Sequence, residues 1–122
     1  MRPLLIAAAA LALAVPAELV AAEGSNVSAA FGNTILSTYP DGRTAKLWLK
    51  ADGTYTAVGR RRTPSSGTWK VKGEKICLSQ KKPTRGPISY CTEIRSGGVG
   101  TSWSGRAVTG EKIKITLVAG KQ

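Results

Sequence analysis

The sequence contains no histidine, only two cysteines and only seven acidic residues among 122. The commonest general acid–base group in proteins, which is also the commonest metal ligand, is therefore missing. No serine or cysteine has a histidine partner, and the few carboxylates do not cluster at the spacing of metal ligands. Most of them fall in predicted turns, where a local backbone role accounts for them: Asp41, Asp52, Glu74 and Glu111. We therefore expect a protein that is not an enzyme and that uses no metal or cofactor.

The first 22 residues have the form of an export signal. A short positive start at residues 1–3 is followed by the uncharged apolar run 4–15, and Val20-Ala21-Ala22 offers small residues for cleavage before Glu23. The run is shorter than the roughly 20 residues that a transmembrane helix needs. We predict a Sec-type signal peptide over 1–22, cleaved near Ala22, and a periplasmic or secreted mature chain over 23–122; a buried core helix is the alternative.

After residue 23, short alternating segments separated by turn residues predict a single all-β domain. Turn signals stand at Pro40-Asp41-Gly42, Asp52-Gly53, Gly73-Glu74 and Gly110-Glu111. We predict eight strands, at 31–38, 43–50, 54–60, 67–72, 75–80, 88–94, 100–107 and 112–118, with longer loops over 60–66, 81–87 and 95–98. Because short connections join them, and because closure removes exposed edges, the strands predict a small antiparallel up-and-down barrel.

Alternation along the predicted strands separates an inner from an outer face. The side chains predicted to point inward are Leu47, Leu49, Tyr55, Trp69, Val71, Ile76, Leu78, Ile88, Tyr90, Ile94, Trp103, Ile113, Ile115 and Leu117. An eight-stranded barrel is just wide enough for side chains to fill it or for one small ligand. Tyr55, Trp69, Tyr90 and Trp103 are the candidate contacts for such a ligand. Trp48 is predicted on the outer face, packed beneath the segment around Phe31.

In an exported chain the two cysteines are expected to form a disulfide, with two free thiols as the alternative. Cys77 and Cys91 both fall on the polar face of neighbouring predicted strands. A bridge between them closes a loop of about 15 residues, which the chain-entropy treatment values at roughly 3 kcal/mol. We therefore predict one disulfide on the outside of this hairpin.

Positive charge is the strongest physical signal of the mature chain. The formal net charge is +11, and removal of Arg2 and Glu18 with the signal peptide leaves it unchanged. Such a surface favours an anionic envelope component or an acidic protein, whereas export argues against nucleic acid. A basic face that only keeps the protein soluble is the alternative. The candidate binding residues are one loop cluster, Arg60, Arg61 and Arg62, a second, Lys81, Lys82 and Arg85, and the outer-face lysines expected between them, Lys70, Lys72 and Lys75.

Four short motifs follow one another along the chain: Gly32-Asn33-Thr34, Ala51-Asp52-Gly53-Thr54-Tyr55, Gly67-Thr68-Trp69 and Cys77. Together they resemble a group of small exported bacterial domains that share a lipocalin-like strand plan and mostly lack an assigned function. Gly67-Thr68-Trp69-Lys70, with Gly73 and Cys77-Leu78, is similar to the central hairpin of periplasmic inhibitors of secreted metalloproteases. That resemblance implies a barrel with one disulfide and an inhibitory N-terminal tail, here Glu23 to Ser28. The inhibitors pair this cysteine with an upstream one, whereas Cys77 has only a downstream partner.

A third motif, Thr101-Ser102-Trp103-Ser104-Gly105 with Gly110-Glu111, resembles a late strand pair of streptavidin-like barrels, in which the tryptophan packs on biotin. The predicted first strand, residues 32–37, lacks the polar ligand-binding pattern of that family, so biotin binding is not carried over. All three resemblances imply a barrel. We expect a monomeric binding module that recognises an anionic partner; protease inhibition through the tail and carriage of a small ligand are the alternatives.

Overall fold

The computed structural model describes residues 27–84, 89–95 and 97–122. The predicted signal peptide, tail residues 23–26, Arg85 and Ile88 lie outside this part of the chain. Eight strands follow a short helical turn at 27–28: β1 (Thr34–Thr38), β2 (Thr44–Leu49), β3 (Thr54–Val58), β4 (Pro64–Lys72), β5 (Lys75–Lys82), β6 (Ser89–Glu93), β7 (Ser102–Arg106) and β8 (Lys112–Val118). No helix of the described residues is long and apolar enough to cross a membrane.

The strands form one antiparallel sheet in the order β6-β5-β4-β3-β2-β1-β8-β7. Each strand pairs with the next one along the chain except β6 with β7, and β1 also pairs with β8 through Thr34↔Val118 to Thr38↔Lys114. The sheet curls so that its two edge strands, β6 and β7, face each other without a ladder between them in the described residues. The all-β up-and-down barrel predicted from the sequence is confirmed, with closure nearly complete.

Strand boundaries differ from the prediction by up to three residues, and the differences are largest at the starts of β1 and β4. β1 begins at Thr34 because residues 27–33 form a hydrogen-bonded turn, in which the Ala30 N–H donates to Val27 O and the Asn33 N–H to Ala30 O. β4 begins at Pro64, a first-strand position that proline tolerates. This start shortens the predicted loop over 60–66, and β5 runs to Lys82, which shortens the predicted loop over 81–87.

The core lies inside the barrel, and alternation identified most of it. Leu49, Tyr55, Ile76, Ile94, Ile113, Ile115 and Leu117 are buried as predicted. Val71 is 42 % exposed, so its predicted burial was wrong. It pairs with Ile76 one residue from the end of the β4–β5 hairpin, beyond Thr68, where the β3–β4 ladder stops.

The two ends of the barrel differ. At the end that we call the plug end, Val27 and Ala30 of the turn are buried, and the Phe31 ring lies 5.8 Å from the Trp69 ring. The opposite end, which we call the mouth, carries the β1–β2, β3–β4 and β7–β8 turns and has no such covering segment among the described residues.

Candidate functional site

A cavity of about 270 Å³ occupies the mouth half of the barrel. Its wall is largely apolar, and three tyrosine side chains also line it. The lining side chains that matter below are Tyr39, Tyr55, Tyr90, Leu47, Leu78, Ala57 and Ile113. A second void of about 50 Å³ lies deeper in the barrel, beside Ile35, Trp103 and Ile115. Concave, mainly apolar spaces with a few placed polar groups are typical of small-molecule sites.

The polar groups of the cavity wall differ in whether they have partners. The Tyr90 hydroxyl donates to the Arg106 carbonyl oxygen, whereas the Tyr55 hydroxyl has no hydrogen-bond partner among the described residues. Burial raises the pKa of both phenols above the ordinary value, so both stay neutral donors at physiological pH. Tyr55 therefore offers one free donor to a molecule in the cavity.

An ion pair spans the mouth. The Arg60 guanidinium, from the β3–β4 turn, lies 2.8 Å from a carboxylate oxygen of Glu111, from the β7–β8 turn. The same guanidinium sits 4.3 Å from the centroid of the Tyr39 ring, at the end of β1. Both side chains are largely shielded, at 20 % and 33 % exposure. Arg60 therefore connects the β3–β4 turn to the β7–β8 turn and to the end of β1.

We expect the mouth ion pair to break only in acid. The Thr109 hydroxyl, which donates to Glu111, and then Arg60 hold the pKa of the Glu111 carboxyl below its ordinary 4.5. Because the folded pKa is depressed, the contribution of the pair is present above that ordinary value and is lost as pH falls through the folded one. An NMR titration should give a Glu111 midpoint below 4.5, with the Arg60 Nε resonance moving in parallel.

The variant Glu111→Gln is the control for this titration. It should abolish the pH-dependent movement of the Arg60 resonance and leave Arg60 in its low-pH environment throughout. A Glu111 midpoint at or above the ordinary value, or an Arg60 resonance that ignores pH, would contradict the ion pair.

The four aromatic side chains predicted as interior contacts differ in which cavity they line. Tyr55 and Tyr90 line the larger cavity, and Tyr90 and Trp103 line the smaller one. Trp69 lines neither; its indole N–H donates to the Lys50 carbonyl at 2.8 Å, and its ring contacts Phe31. Sequence reasoning missed Tyr39, because the phase of the first strand did not show that a residue just beyond its end would close over the barrel.

Trp48 does not lie beneath Phe31 as predicted. Its indole N–H donates to the Thr34 hydroxyl at 2.9 Å, and the Lys121 ammonium sits 5.1 Å from its ring centroid. Thr34 is fully buried and also donates to Gly120 O while accepting from the Gln122 N–H. The C-terminal residues, rather than the N-terminal turn, therefore cover Trp48.

The predicted basic residues do not form one continuous surface. Arg61, Arg62, Lys81 and Lys82 are exposed at the mouth, whereas Lys72 and Lys75 are exposed at the plug end of the β4–β5 hairpin, with Lys70 between. The three lysines thus extend away from the two loop clusters rather than lying between them. Arg60 differs from the other cations because Glu111 neutralises it.

One of these arginines has an unusual backbone. Four hairpin turns share a pattern in which the fourth residue donates its N–H to the carbonyl of the first. That fourth residue is Gly42, Gly53 or Gly110 in three turns, with φ of 89°, 92° and 96°. In the β3–β4 turn it is Arg62, with φ of 66°. This left-handed conformation is strained for a side-chain-bearing residue and costs about 1 kcal/mol.

The predicted disulfide is confirmed. Cys77 and Cys91 are directly opposed in the β5–β6 ladder, with their Cα atoms 4.0 Å apart. The pair lies on the outer face beside Lys70, which opposes Cys77 from β4. It joins the edge strand β6 to the sheet.

The protein is thus a nearly closed, eight-stranded antiparallel barrel with one disulfide and an internal cavity. Comparisons with protein-family models, curated proteins and solved structures find no match to this chain.

The predicted tail, Glu23 to Ser28, is described only in its last two residues. Val27 is 3 % exposed within the plug, so this part of the tail is anchored to the barrel. Protease inhibition through the remainder of the tail stays a prediction.

Proposed function

We propose that this protein binds a small, mostly apolar molecule inside the barrel. The observation that carries the proposal is the cavity of about 270 Å³ at the mouth. Residues from every strand except β7 line it, so a bound molecule would be enclosed by the sheet. The interior of an eight-stranded barrel is wide enough to hold one small ligand where side chains do not fill it, which supports this proposal.

The chemistry of the wall defines the class of ligand. Leu47, Leu78 and Ile113 offer apolar contact, which favours a molecule with little charge. The Tyr55 hydroxyl supplies a donor that no described residue accepts. The best ligand therefore has an apolar body and one hydrogen-bond acceptor placed to meet Tyr55.

Native mass spectrometry of the gently purified protein, followed by titration with 1-aminoanthracene, tests the proposal. We expect saturable one-to-one binding of this probe, displaced by any natural ligand found as extra mass. Ala57→Phe places an aromatic ring into the cavity from β3 and should weaken probe binding at least about ten-fold. Ala51→Phe adds the same ring at an exposed position of the β2–β3 turn and should leave binding unchanged.

Equal binding by the Ala57→Phe and Ala51→Phe variants would place the probe outside the barrel and end the proposal. So would a bare mass together with no saturable binding. Tyr55→Phe refines a positive result: it keeps the ring and removes only the hydroxyl, so it should weaken acceptor-bearing ligands about five-fold and spare pure hydrocarbons.

Arg62 favours a second function, which is the recognition of an anionic envelope component. A strained left-handed arginine stands where the sister turns have glycine, which supports a role for its side chain that glycine could not fill. Arg61, Lys81 and Lys82 add exposed positive charge at the same end of the barrel. Together they would attract lipid phosphates or acidic sugars, more weakly as salt rises.

Arg62→Gly should separate stability from binding. We expect the free energy of unfolding to rise by about 0.5–1 kcal/mol, because glycine adopts this φ without strain. Binding to vesicles that contain phosphatidylglycerol should weaken at the same time. Arg61→Gly removes the same charge from the neighbouring position, where the backbone is not left-handed, and should lower stability instead. Vesicle binding that ignores both substitutions, or ignores salt, would overturn the second function.

A further inference from the structure

The seam between β6 and β7 is the one place where the barrel wall lacks a backbone ladder among the described residues. Two side chains bridge it from within. The Tyr90 hydroxyl donates to the Arg106 carbonyl, and the Trp103 indole N–H donates to the Glu93 carbonyl at 3.2 Å. The seam is thus held closed by side chains, and most backbone groups along it remain available.

The ladder pattern shows which groups face the seam from β6. The Ile94 N–H donates to Glu74 O, so this pair is a hydrogen-bonded pair of the β5–β6 ladder. In an antiparallel ladder, hydrogen-bonded and non-hydrogen-bonded pairs alternate. Cys91 and Glu93 therefore direct their N–H and C=O groups away from β5 and toward β7.

The same reasoning applies to β7. The Leu117 N–H donates to Thr101 O, and the Ala107 N–H donates to Glu111 O. Between these hydrogen-bonded positions, alternation leaves Ser104 with its N–H and C=O directed away from β8. Two bare edges thus face each other, with Cys91 and Ser104 near the middle.

A groove of about 410 Å³ runs along this seam, and its flanks are basic. Lys75 lies on the β6 side, and Arg106 and Lys112 lie on the β7–β8 side. The acid in the groove, Glu93, is already paired with Arg95 at 2.6 Å. No described acid forms an ion pair with Lys75 or Lys112.

We propose that the seam binds an extended acidic peptide segment of a partner protein by strand addition. Because Thr92 and Gly105 lie close together across the seam, the Tyr90 and Trp103 hydrogen bonds must release and the edges must separate to about 9.6 Å, two strand spacings, to admit the peptide. The peptide backbone then bonds to the free groups of Cys91 and Ser104, and alternate acidic side chains meet Lys75 and Lys112. Backbone bonds supply affinity in this mode, and the flanking charges select the sequence. The groove shares Tyr90 with the wall of the barrel cavity, but the proposal rests on the backbone groups and lysines of the outer face and does not depend on the proposed ligand.

A blocked, dye-labelled peptide that alternates glutamate and valine is the probe. Its anisotropy should report saturable binding that weakens with salt, and the lysine–valine peptide should not bind. Two further peptides are N-methylated at every second residue, one at the odd and the other at the even positions. Each keeps its charge but loses half of its backbone donors. At least one of the two should bind at least about ten-fold more weakly.

Two pairs of protein variants complete the test. Ser104→Pro removes the N–H that faces the seam while sparing the β7–β8 ladder, and it should weaken binding about ten-fold or more. Ser104→Ala keeps that N–H and should bind as the parent does. Lys75→Glu with Lys112→Glu should abolish binding, whereas Lys50→Glu, at an exposed turn position away from the groove, should reduce it little. Circular dichroism checks that each variant folds.

The peptide results stand even if Ser104→Pro fails to fold, because the N-methylated peptides test backbone pairing on the unaltered protein. Equal binding of the parent peptide and both N-methylated forms would overturn strand addition. Equal binding of a sulfated oligosaccharide, unaffected by Ser104→Pro, would also overturn it and leave only a basic surface.

Discussion

Gly67→Ala is expected to destabilise the barrel by about 3 kcal/mol or more, a large share of the roughly 5–15 kcal/mol that holds a typical domain folded. Gly67 lies in β4 between Tyr55 of β3 and Gln80 of β5, where the β4–β5 register shifts. A Cβ there would overlap the Ser79 carbonyl oxygen and stand 3.0 Å from the Gln80 Cα. These are backbone atoms, so no side-chain rotation relieves the clash.

Gly59→Ala is the matched control. Gly59 directly follows β3 as the first residue of the β3–β4 turn, and its Cβ would meet the Thr63 hydroxyl at 3.5 Å, an ordinary contact. Its φ is not left-handed, so alanine adds no backbone strain there. Urea unfolding followed by circular dichroism should separate the two variants clearly. A difference below about 0.5 kcal/mol would show that β4 and β5 adjust freely at the bulge.

The turn chemistry and the alternation explain why the fold could be predicted. Gly42, Gly53 and Gly110 occupy left-handed turn positions, which fix where strands reverse. Ile113, Ile115 and Leu117 alternate with exposed or half-buried residues, which fixes the inward face of β8. The same alternation placed Cys77 and Cys91 on one face of neighbouring strands, in agreement with their direct cross-strand pairing. These are local signals, and local signals suffice for an up-and-down order.

Contacts between distant elements could not be predicted in this way. Arg60 was grouped with its two neighbours as an anion-binding residue, yet its guanidinium pairs with Glu111, 51 positions further along the chain. The plug was missed for a similar reason: Val27 and Ala30 have no strand period, and their burial depends on the diameter of the end that they fill. The ion pair and the burial of the plug both depend on how the barrel closes, and a sequence pattern does not show how it closes.

The seam also arises from closure. The alternation correctly directed Tyr90 and Trp103 inward, but it did not show that each would donate to a backbone carbonyl of the opposite edge. Two aromatic side chains that were predicted as ligand contacts are thus partly engaged in holding the wall together. The Tyr55 hydroxyl, in contrast, has no hydrogen-bond partner among the described residues.

Removing the disulfide is expected to have the second large effect. Cys77→Ala with Cys91→Ala should cost about 3 kcal/mol, because the bridge closes a loop with a sequence separation of 14. The loss should be greatest in β6, which has a ladder on one side only. Hydrogen exchange should therefore quicken in β6 far more than in β1, which is paired on both sides.

Ser79→Ala with Ser89→Ala is the matched control, since this pair lies two positions along the same ladder and carries no covalent link. It should change the free energy of unfolding by less than about 0.5 kcal/mol. Reduction of the parent protein should reproduce the cysteine double variant. If both double variants lost equal stability, side-chain truncation would be responsible rather than the bridge. If exchange quickened equally in β1 and β6, the edge strand would be no weaker than the rest of the wall, and the seam would not be the place where the barrel opens.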